Sequence, residues 1–297
     1  MSVACSKDSQ SLSEAIERLG EAKQPKRDDL ASISNDSSAR WDLNTNFSQA
    51  RTMAETGWQE KAGDLWKQVA GLAVKIDPGV RECFDVTGEA VDVGRYLGGE
   101  PECMFTQIIT PMSAVSVVMN ISARSNANAE YIFNRGIAVA AVIHALQSAG
   151  RGVALTVCES VKGGGESHET FITLQEFGEY INPARLAFWT AHPAALRRCI
   201  FRYNEQQSDA IRDQFGFHSS GGYGNPQDID VTKLPSGTVY IPFPETDMLE
   251  RYYTTPELAL KTVIKEFQAR GVTIDIVDGT PKPRIKIAAE WSDPESD

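Results

Sequence analysis

The residues with the clearest chemical potential follow an apolar run in "VVMNISARSN", residues 117–126. The apolar run stops at Asn120, and the small hydroxyl side chains of Ser122 and Ser125 follow it. Amide and hydroxyl oxygens are ligands that a hard cation such as Mg²⁺ accepts alongside water, and Asp247 or Asp228 could add a carboxylate from a later loop. One explanation of the pattern is therefore a metal site, and Mg²⁺ is the one cofactor that the sequence suggests.

The same polar residues have a simpler explanation. Asn and Ser are frequent N-caps, because their side-chain oxygens accept hydrogen bonds from the first backbone N–H groups of a helix. A helix is predicted directly after them in "NAEYIFNRGIAVAAVIHALQSAG", with Asn126 or Asn128 as its cap and Gly150 as its end. Metal ligation and helix capping both remain open at this point.

The elements around these residues favour an α/β domain. The runs "SAVSVVMNIS" (113–122) and "GVALTVCESV" (152–161) are apolar and β-branched, and the predicted helix lies between them. Such a strand–helix–strand unit places its two strands parallel. A short glycine-rich connection then leads into "HETFITLQ" (168–175), which predicts an antiparallel hairpin. Two further strands are predicted in "SGTVYIPFP" and "VTIDIVDG", separated by the helix "TPELALKTVIKEFQARG".

Changes in composition divide the chain into four predicted parts. Residues 1–40 are polar and predict a flexible arm with at most one marginal helix in "SLSEAIERLGEA", and residues 41–83 have helical spacing with a break at Gly57. Residues 84–290 hold the alternating strands and helices of the α/β domain, and residues 291–297 form an acidic tail.

A family resemblance rests on the residues Asn120-Ile121-Ser122-Ala123-Arg124-Ser125 and on the order of the elements around them. Residues 113–278 resemble a von Willebrand factor A domain, in which the first strand ends in Asp-x-Ser-x-Ser. In that family these oxygens hold a divalent metal together with a Thr and an Asp from later loops. Here an amide replaces the carboxylate, the second Ser is displaced by one position, and Arg124 adds a positive charge.

The resemblance implies a three-layer α/β sandwich with a mainly parallel central sheet, preceded by a helical N-terminal extension. It also implies a degenerate metal site. The stretches "VDVGRYLGGEPECM" and "FWTAHPAALRRCIFR" are similar to uncharacterised proteins encoded by bacteriophages. That similarity implies a phage or prophage source, with the host cytoplasm as the location.

Composition narrows the classes of partner and the compartment. The formal net charge of −11 argues against nucleic-acid binding driven by phosphate neutralisation. The five cysteines are scattered and form no CxxC pair, which favours a reducing, cytoplasmic compartment. The chain starts without the basic and apolar segments of a signal peptide, and it has no apolar run of the roughly 20 residues that a membrane span needs.

Charged and aromatic residues suggest where a protein partner would bind. Arg198 and Arg202 share one face of a predicted helix and could meet a partner's carboxylates, although a salt-bridged face is the plainer explanation. The long polar loop "SSGGYGNPQDID" adds Tyr223 and Asp228, and Arg124 lies on the neighbouring rim.

The sequence therefore predicts a non-enzymatic protein–protein interaction or assembly module with an unidentified protein partner and no catalytic residue. The alternative is a metal-assisted hydrolase or nuclease that uses Asp228, Asp230 or Asp247 with Asn120. A structural virion component is a third hypothesis, suggested by the phage similarity alone.

Overall fold

A computed structural model describes residues 5–21, 30–33, 41–60, 63, 74–75, 80–109, 114–180, 182–218, 220–272 and 274–276. The strands of this part are β1 (Cys5–Ser11), β2 (Val74–Lys75), β3 (Val80–Asp85), β4 (Ala90–Val91), β5 (Met104–Ile109), β6 (Val115–Asn120), β7 (Val153–Gly163), β8 (Glu166–Gln175), β9 (Asn225–Pro226), β10 (Val239–Ile241) and β11 (Asp275–Ile276). The helices are α1 (Leu12–Glu21), α2 (Phe47–Thr56), α3 (Val93–Leu97), α4 (Ala129–Ser148), α5 (Pro183–Ala191), α6 (Phe201–Glu205), α7 (Asp209–Phe215), α8 (Thr246–Tyr252) and α9 (Pro256–Ala269). A π-helical turn, Ala195–Ile200, runs directly into α6.

The described residues form a mixed α/β fold with a mostly parallel central sheet and flanking helices. The strand order is β1-β8-β7-β6-β10, and the short β9 pairs with the far end of β7. Strands β6 and β7 are parallel and β7 and β8 are antiparallel, as the sequence predicted. The hairpin turn is made by Gly164 and Gly165, both at positive φ, a conformation in which glycine avoids the clash of a Cβ atom.

The main apolar core lies between one face of the sheet and the helices. Alternate residues of β6 and β7, such as Val117 and Leu155, point into this core. Helix α4 is buried along its middle turns, and the Asn128 side chain caps it by accepting from the Glu130 backbone N–H at 2.9 Å. The predicted break at Gly57 is confirmed, because α2 ends there with φ +90°.

The opposite face of the sheet carries a smaller apolar cluster. Val118, Cys158, Phe171 and Tyr240 come from the strands, and Ile229 packs on them from the loop that follows β9. This loop brings the predicted functional stretch 220–230 back against the sheet. The sheet is thus buried on this face too, at least beneath that loop.

The structure differs from the predicted flexible arm within residues 1–40. Strand β1 pairs with β8 in parallel over its whole length, and α1 buries Leu12, Ala15 and Leu19 in the main core. The polar sequence of β1 hid this strand, because edge pairing through main-chain hydrogen bonds needs no apolar alternation.

The predicted fourth core strand, "VTIDIVDG", is also different in the structure. Its described residues Asp275–Ile276 pair antiparallel with Val74–Lys75 in a separate two-stranded sheet. A third sheet is antiparallel in the order β3-β5-β4, and α3 lies between β4 and β5 along the chain. The acidic tail at 291–297 lies outside the described residues. None of the helices in the described part has the length and hydrophobicity to span a membrane.

Candidate functional site

Asn120 ends β6 at the carboxyl edge of the sheet, and its side chain is fully buried and engaged. Its Nδ2 group donates to the Gln227 carbonyl at 2.9 Å and to the Tyr240 hydroxyl at 3.0 Å. Its Oδ1 atom accepts from the Ser122 backbone N–H at 3.0 Å. The amide thus ties three segments together, and this bonding explains why an amide rather than a carboxylate suits the position.

The side chain of Ser122, just beyond the end of β6, forms hydrogen bonds with the backbone of β7. Its hydroxyl accepts from the Ser160 backbone N–H at 3.0 Å and donates to the Ser160 carbonyl at 3.2 Å. The side chain is buried, so these two bonds replace the ladder contacts that the strand no longer makes.

A buried guanidinium, that of Arg135 on α4, lies beside this edge. Its Nη2 group donates to the backbone carbonyls of Asn120 at 2.9 Å and Pro242 at 2.7 Å, and to that of Ile241 at 3.3 Å. A fixed positive charge therefore satisfies the last carbonyls of β6 and β10. No pattern in the sequence predicted this role, because an arginine in an amphipathic helix normally points to solvent.

Of the other residues named as metal ligands, Asp228 is linked to Asn120 through the Tyr240 hydroxyl, and the rest lie at the surface. Ser125 and Asp247 are exposed, the latter in the first turn of α8. Asp228 accepts from the Tyr240 hydroxyl at 2.9 Å and from the Phe243 backbone N–H at 2.8 Å, and Asp230 caps a 3₁₀ turn. Within the described ranges, no three His, Cys, Asp or Glu residues are grouped so that they could hold a metal ion. The metal site remains a prediction.

A cleft of about 450 Å³ opens next to Ser122. The loop 122–126 forms one wall, the loop 222–226 forms another, and Trp41 contributes an aromatic surface. Glu159 and Arg197 also line it. Volumes of this order are typical of pockets that hold small molecules.

Glu159 is the residue in this cleft that the sequence analysis missed. It lies in β7, where 1% of its surface is exposed, and Oε2 accepts from Asn204 Nδ2 at 2.7 Å. Burial raises the pKa of its carboxyl to about 7, although the Asn204 hydrogen bond acts in the opposite direction. The signal that could have revealed it is a charged residue inside the apolar run "GVALTVCESV".

Arg197 comes from the π-helical turn, a geometry that is frequent at functional sites. Its side chain is buried, and Nη2 donates to the Arg124 carbonyl at 2.8 Å. The guanidinium carbon lies 5.1 Å from the Trp41 ring centre. Burial lowers its pKa to about 10, while the negative charge of Asp42 opposes that shift.

Three residues predicted to bind a partner are instead buried inside the protein. Arg198 forms an ion pair with Asp42, with Nη2 and Oδ2 2.6 Å apart. Arg202 pairs with Glu205 at 3.3 Å, and the Tyr223 hydroxyl donates to Glu205 at 2.6 Å.

These contacts give Arg198, Arg202 and Tyr223 an internal role, in which they hold the segments around Ser32 and Asp42 against α6. Of the five predicted partner-binding residues, Arg124 and Asp228 are exposed. The sequence could not distinguish the two outcomes, because the acidic partner Asp42 lies far away along the chain.

Comparison with known proteins gives one match. The model of a family described as "Domain of unknown function (DUF7192)" matches residues 4–273. No curated protein and no solved structure matches the chain.

Proposed function

Since the matched region spans most of its length, the chain belongs to the family described as "Domain of unknown function (DUF7192)", and we propose that it is a non-enzymatic protein interaction or assembly module. We further propose a fold of the von Willebrand A type with a degenerate metal site. The observation that carries the interaction function is an exposed apolar patch on α3 and the chain just before it.

Two features support the proposed fold type and the degenerate site. The order β8-β7-β6-β10, with β8 antiparallel to its neighbour, is the one expected if β6 is the first strand of such a domain. Asn120 and Ser122 stand where the resemblance would place the metal ligands of a von Willebrand factor A domain, but their side chains form internal hydrogen bonds. The Arg135 guanidinium adds a positive charge there, so these residues do not fit a tight divalent cation.

The patch consists of large apolar side chains that are close together in the sequence and face solvent. Val86, Val93, Tyr96 and Leu97 are between 61% and 77% exposed, and Val91 is 48% exposed. Single exposed apolar residues are ordinary on protein surfaces, but a cluster of them marks an interaction site.

The charges around the patch indicate the chemistry of the partner. Asp85, Glu89 and Glu102 are exposed carboxylates in the same part of the chain. The positive charge of Arg95 on α3 is already used, since Nη1 pairs with Glu100 at 3.0 Å and the guanidinium carbon lies 3.9 Å from the Phe84 ring centre. The surface is therefore apolar with an acidic rim, and it suits a partner with basic and apolar residues.

A pull-down from the native host tests this proposal with the double variant Tyr96→Ser/Leu97→Ser as bait. Both side chains are exposed, so the variant is expected to fold with a stability within about 0.5 kcal/mol per site of the wild type. We expect the wild type to retain a basic partner that the variant loses, and we expect raised salt to weaken binding.

The matched control is Phe177→Ser/Tyr180→Ser, which removes two other exposed aromatic residues and should retain the partner. Size-exclusion chromatography with light scattering distinguishes a second copy of the chain, a ring or a filament from a different protein. The proposal fails if the variant at the patch and the control retain the same proteins and have the same mass as the wild type.

Titration calorimetry with Mg²⁺ and Mn²⁺ tests the degenerate site separately. We expect no saturable binding to the wild type. Saturable binding that Ser122→Ala abolishes would overturn this part of the proposal and would favour the alternative of a metal-assisted hydrolase.

A further inference from the structure

The cleft beside Ser122 contains a buried cation with unused hydrogen-bonding capacity. Arg197 is 1% exposed, and its Nη1 group has no hydrogen-bond partner among the described residues. No carboxylate of the described residues forms an ion pair with it. A buried N–H group without a partner is costly, so such groups in a cleft are candidates for ligand contact.

The neighbouring arginine shows what full internal pairing looks like in this protein. Arg198 donates to the Asp42 carboxylate and to the backbone carbonyls of Ala31, Ser32 and Thr45, at 2.6 to 3.1 Å. Arg197 has the same degree of burial but a single acceptor, the Arg124 carbonyl. The difference leaves Arg197 with hydrogen-bonding capacity that its contacts with the described residues do not use.

The remaining walls of the cleft narrow the class of ligand. Trp41 and Phe201 supply apolar surface, and the Arg124 side chain is exposed at the rim. Glu159 is the one carboxylate that lines the described cleft, and burial favours its neutral form, which can donate a hydrogen bond to an anion. The charges and surfaces therefore favour a ligand with a negative head and an apolar body.

We propose that this cleft binds a small organic oxyanion, a carboxylate or a phosphate monoester, whose charged group pairs with Arg197 and whose apolar part packs on Trp41. The planar guanidinium offers N–H donors to either kind of oxyanion. The site is distinct from the apolar patch at α3 and does not depend on the interaction function.

Fluorescence titration of the full chain tests the site with benzoate, phenyl phosphate, inorganic phosphate and the neutral isostere benzamide. Binding is expected to change the emission of Trp41, so Trp41→Phe should lose most of the signal while calorimetry still detects binding. We expect saturable binding of benzoate or phenyl phosphate and none of benzamide. The better of the two aromatic anions identifies the head group.

Arg197→Met keeps an apolar stem of similar length and should weaken anion binding by about tenfold or more, as expected for a lost charged hydrogen bond. Arg251→Met, at an exposed arginine on α8, is the matched control and should bind like the wild type. If Arg197→Met does not fold, the comparison of benzoate with benzamide on the wild type decides the question.

Equal responses to the anions and to benzamide would overturn the proposal. So would the absence of saturable binding by all three anions, or unchanged binding in folded Arg197→Met. A response to inorganic phosphate that matches the response to phenyl phosphate would overturn the role of the apolar wall. Failure of any of these tests leaves the patch proposal untouched, since the two surfaces share no residue.

Discussion

Replacing Glu159 by Gln should change how the stability of the protein depends on pH. Burial raises the pKa of this carboxyl from 4.5 to about 7 in the folded state. The folded protein therefore binds the proton more tightly than the unfolded chain does. By linkage, the contribution of Glu159 to folding stability is lost as the pH rises from about 4.5 through about 7.

The magnitude follows from the size of that shift. Each pKa unit corresponds to about 1.4 kcal/mol, so a change from 4.5 to about 7 costs about 3 kcal/mol of unfolding free energy above pH 7. Gln has the shape of the protonated carboxyl and can still accept the Asn204 hydrogen bond, but it has no proton to lose. The variant should therefore match the wild type near pH 4.5 and exceed it by about 3 kcal/mol at pH 8.

His192 opposes this effect in the wild type. Burial lowers the pKa of its imidazole to about 4, and Nδ1 accepts from the Ala194 backbone N–H at 3.0 Å. Because the unfolded chain binds this proton more tightly, the contribution of His192 to stability grows as the pH rises from about 4 through 6.5. Between about pH 4.5 and 6.5 the pH-dependent changes in stability from Glu159 and His192 nearly cancel. In Glu159→Gln the contribution of His192 remains alone, so the stability of this variant should rise with pH over that range.

Urea unfolding at a series of pH values measures both effects. Glu176→Gln, which alters an exposed carboxylate, is the control for the loss of one negative charge. A stability difference between Glu159→Gln and the wild type that is the same at pH 5 and pH 8 would refute the reasoning, since it would mean that Glu159 does not lose its proton in that range.

Three further changes test the packing and the buried charges. Gly136→Ala should lower the melting temperature measured by calorimetry, since its Cβ would lie 2.4 Å from the Ala191 Cα, and the cost should exceed the gain of about 1 kcal/mol in helix propensity. Asp42→Asn should lower the free energy of unfolding measured in urea by about 3–5 kcal/mol, because it leaves the Arg198 charge buried without its partner. Asp213→Asn changes an exposed carboxylate and is the control, which should leave the free energy of unfolding unchanged. Arg135→Met should lower the free energy of unfolding by about 2–4 kcal/mol, because it leaves the carbonyls at the ends of β6 and β10 unpaired. Hydrogen exchange at these strand ends should become faster, and unchanged exchange would contradict the role of Arg135.

The sequence predicted those parts of the fold that are encoded locally. The apolar runs 113–122 and 152–161 with a helix between them specify parallel pairing, and a short glycine turn specifies the hairpin. Strand β1 was missed because its pairing with β8 depends on backbone groups and on a partner far along the chain. The strand predicted at 272–279 was assigned to the wrong sheet for a related reason. Its described residues Asp275–Ile276 do form a strand, but apolar alternation does not say which sheet a strand joins.

The predicted site residues and the cleft lie at the same edge of the sheet, but the predicted chemistry does not follow from the contacts seen there. Ser122, Arg124 and Ser125 line the cleft at the end of β6. The sequence could not show that the side chains of Asn120 and Ser122 form internal hydrogen bonds, because their partners Gln227 and Ser160 are brought close only by tertiary packing. It also placed Arg198 and Arg202 on a partner-binding face, whereas their burial depends on α2 and the segments before it.

The positive sign of the buried charges at the carboxyl edge of the sheet bears on two proposals, the degenerate metal site and the oxyanion cleft. Arg135 supplies a cation to the carbonyls at the strand ends, and Arg197 supplies another to the cleft beside them. A divalent cation at this edge would be repelled by both, while an oxyanion would be attracted by Arg197 and would find Glu159 in its neutral form below about pH 7. Mg²⁺ and benzoate titrations therefore test one electrostatic argument: benzoate binding without Mg²⁺ binding is the expected pair of results. The reverse pair would mean that Glu159 is charged and dominates the cleft.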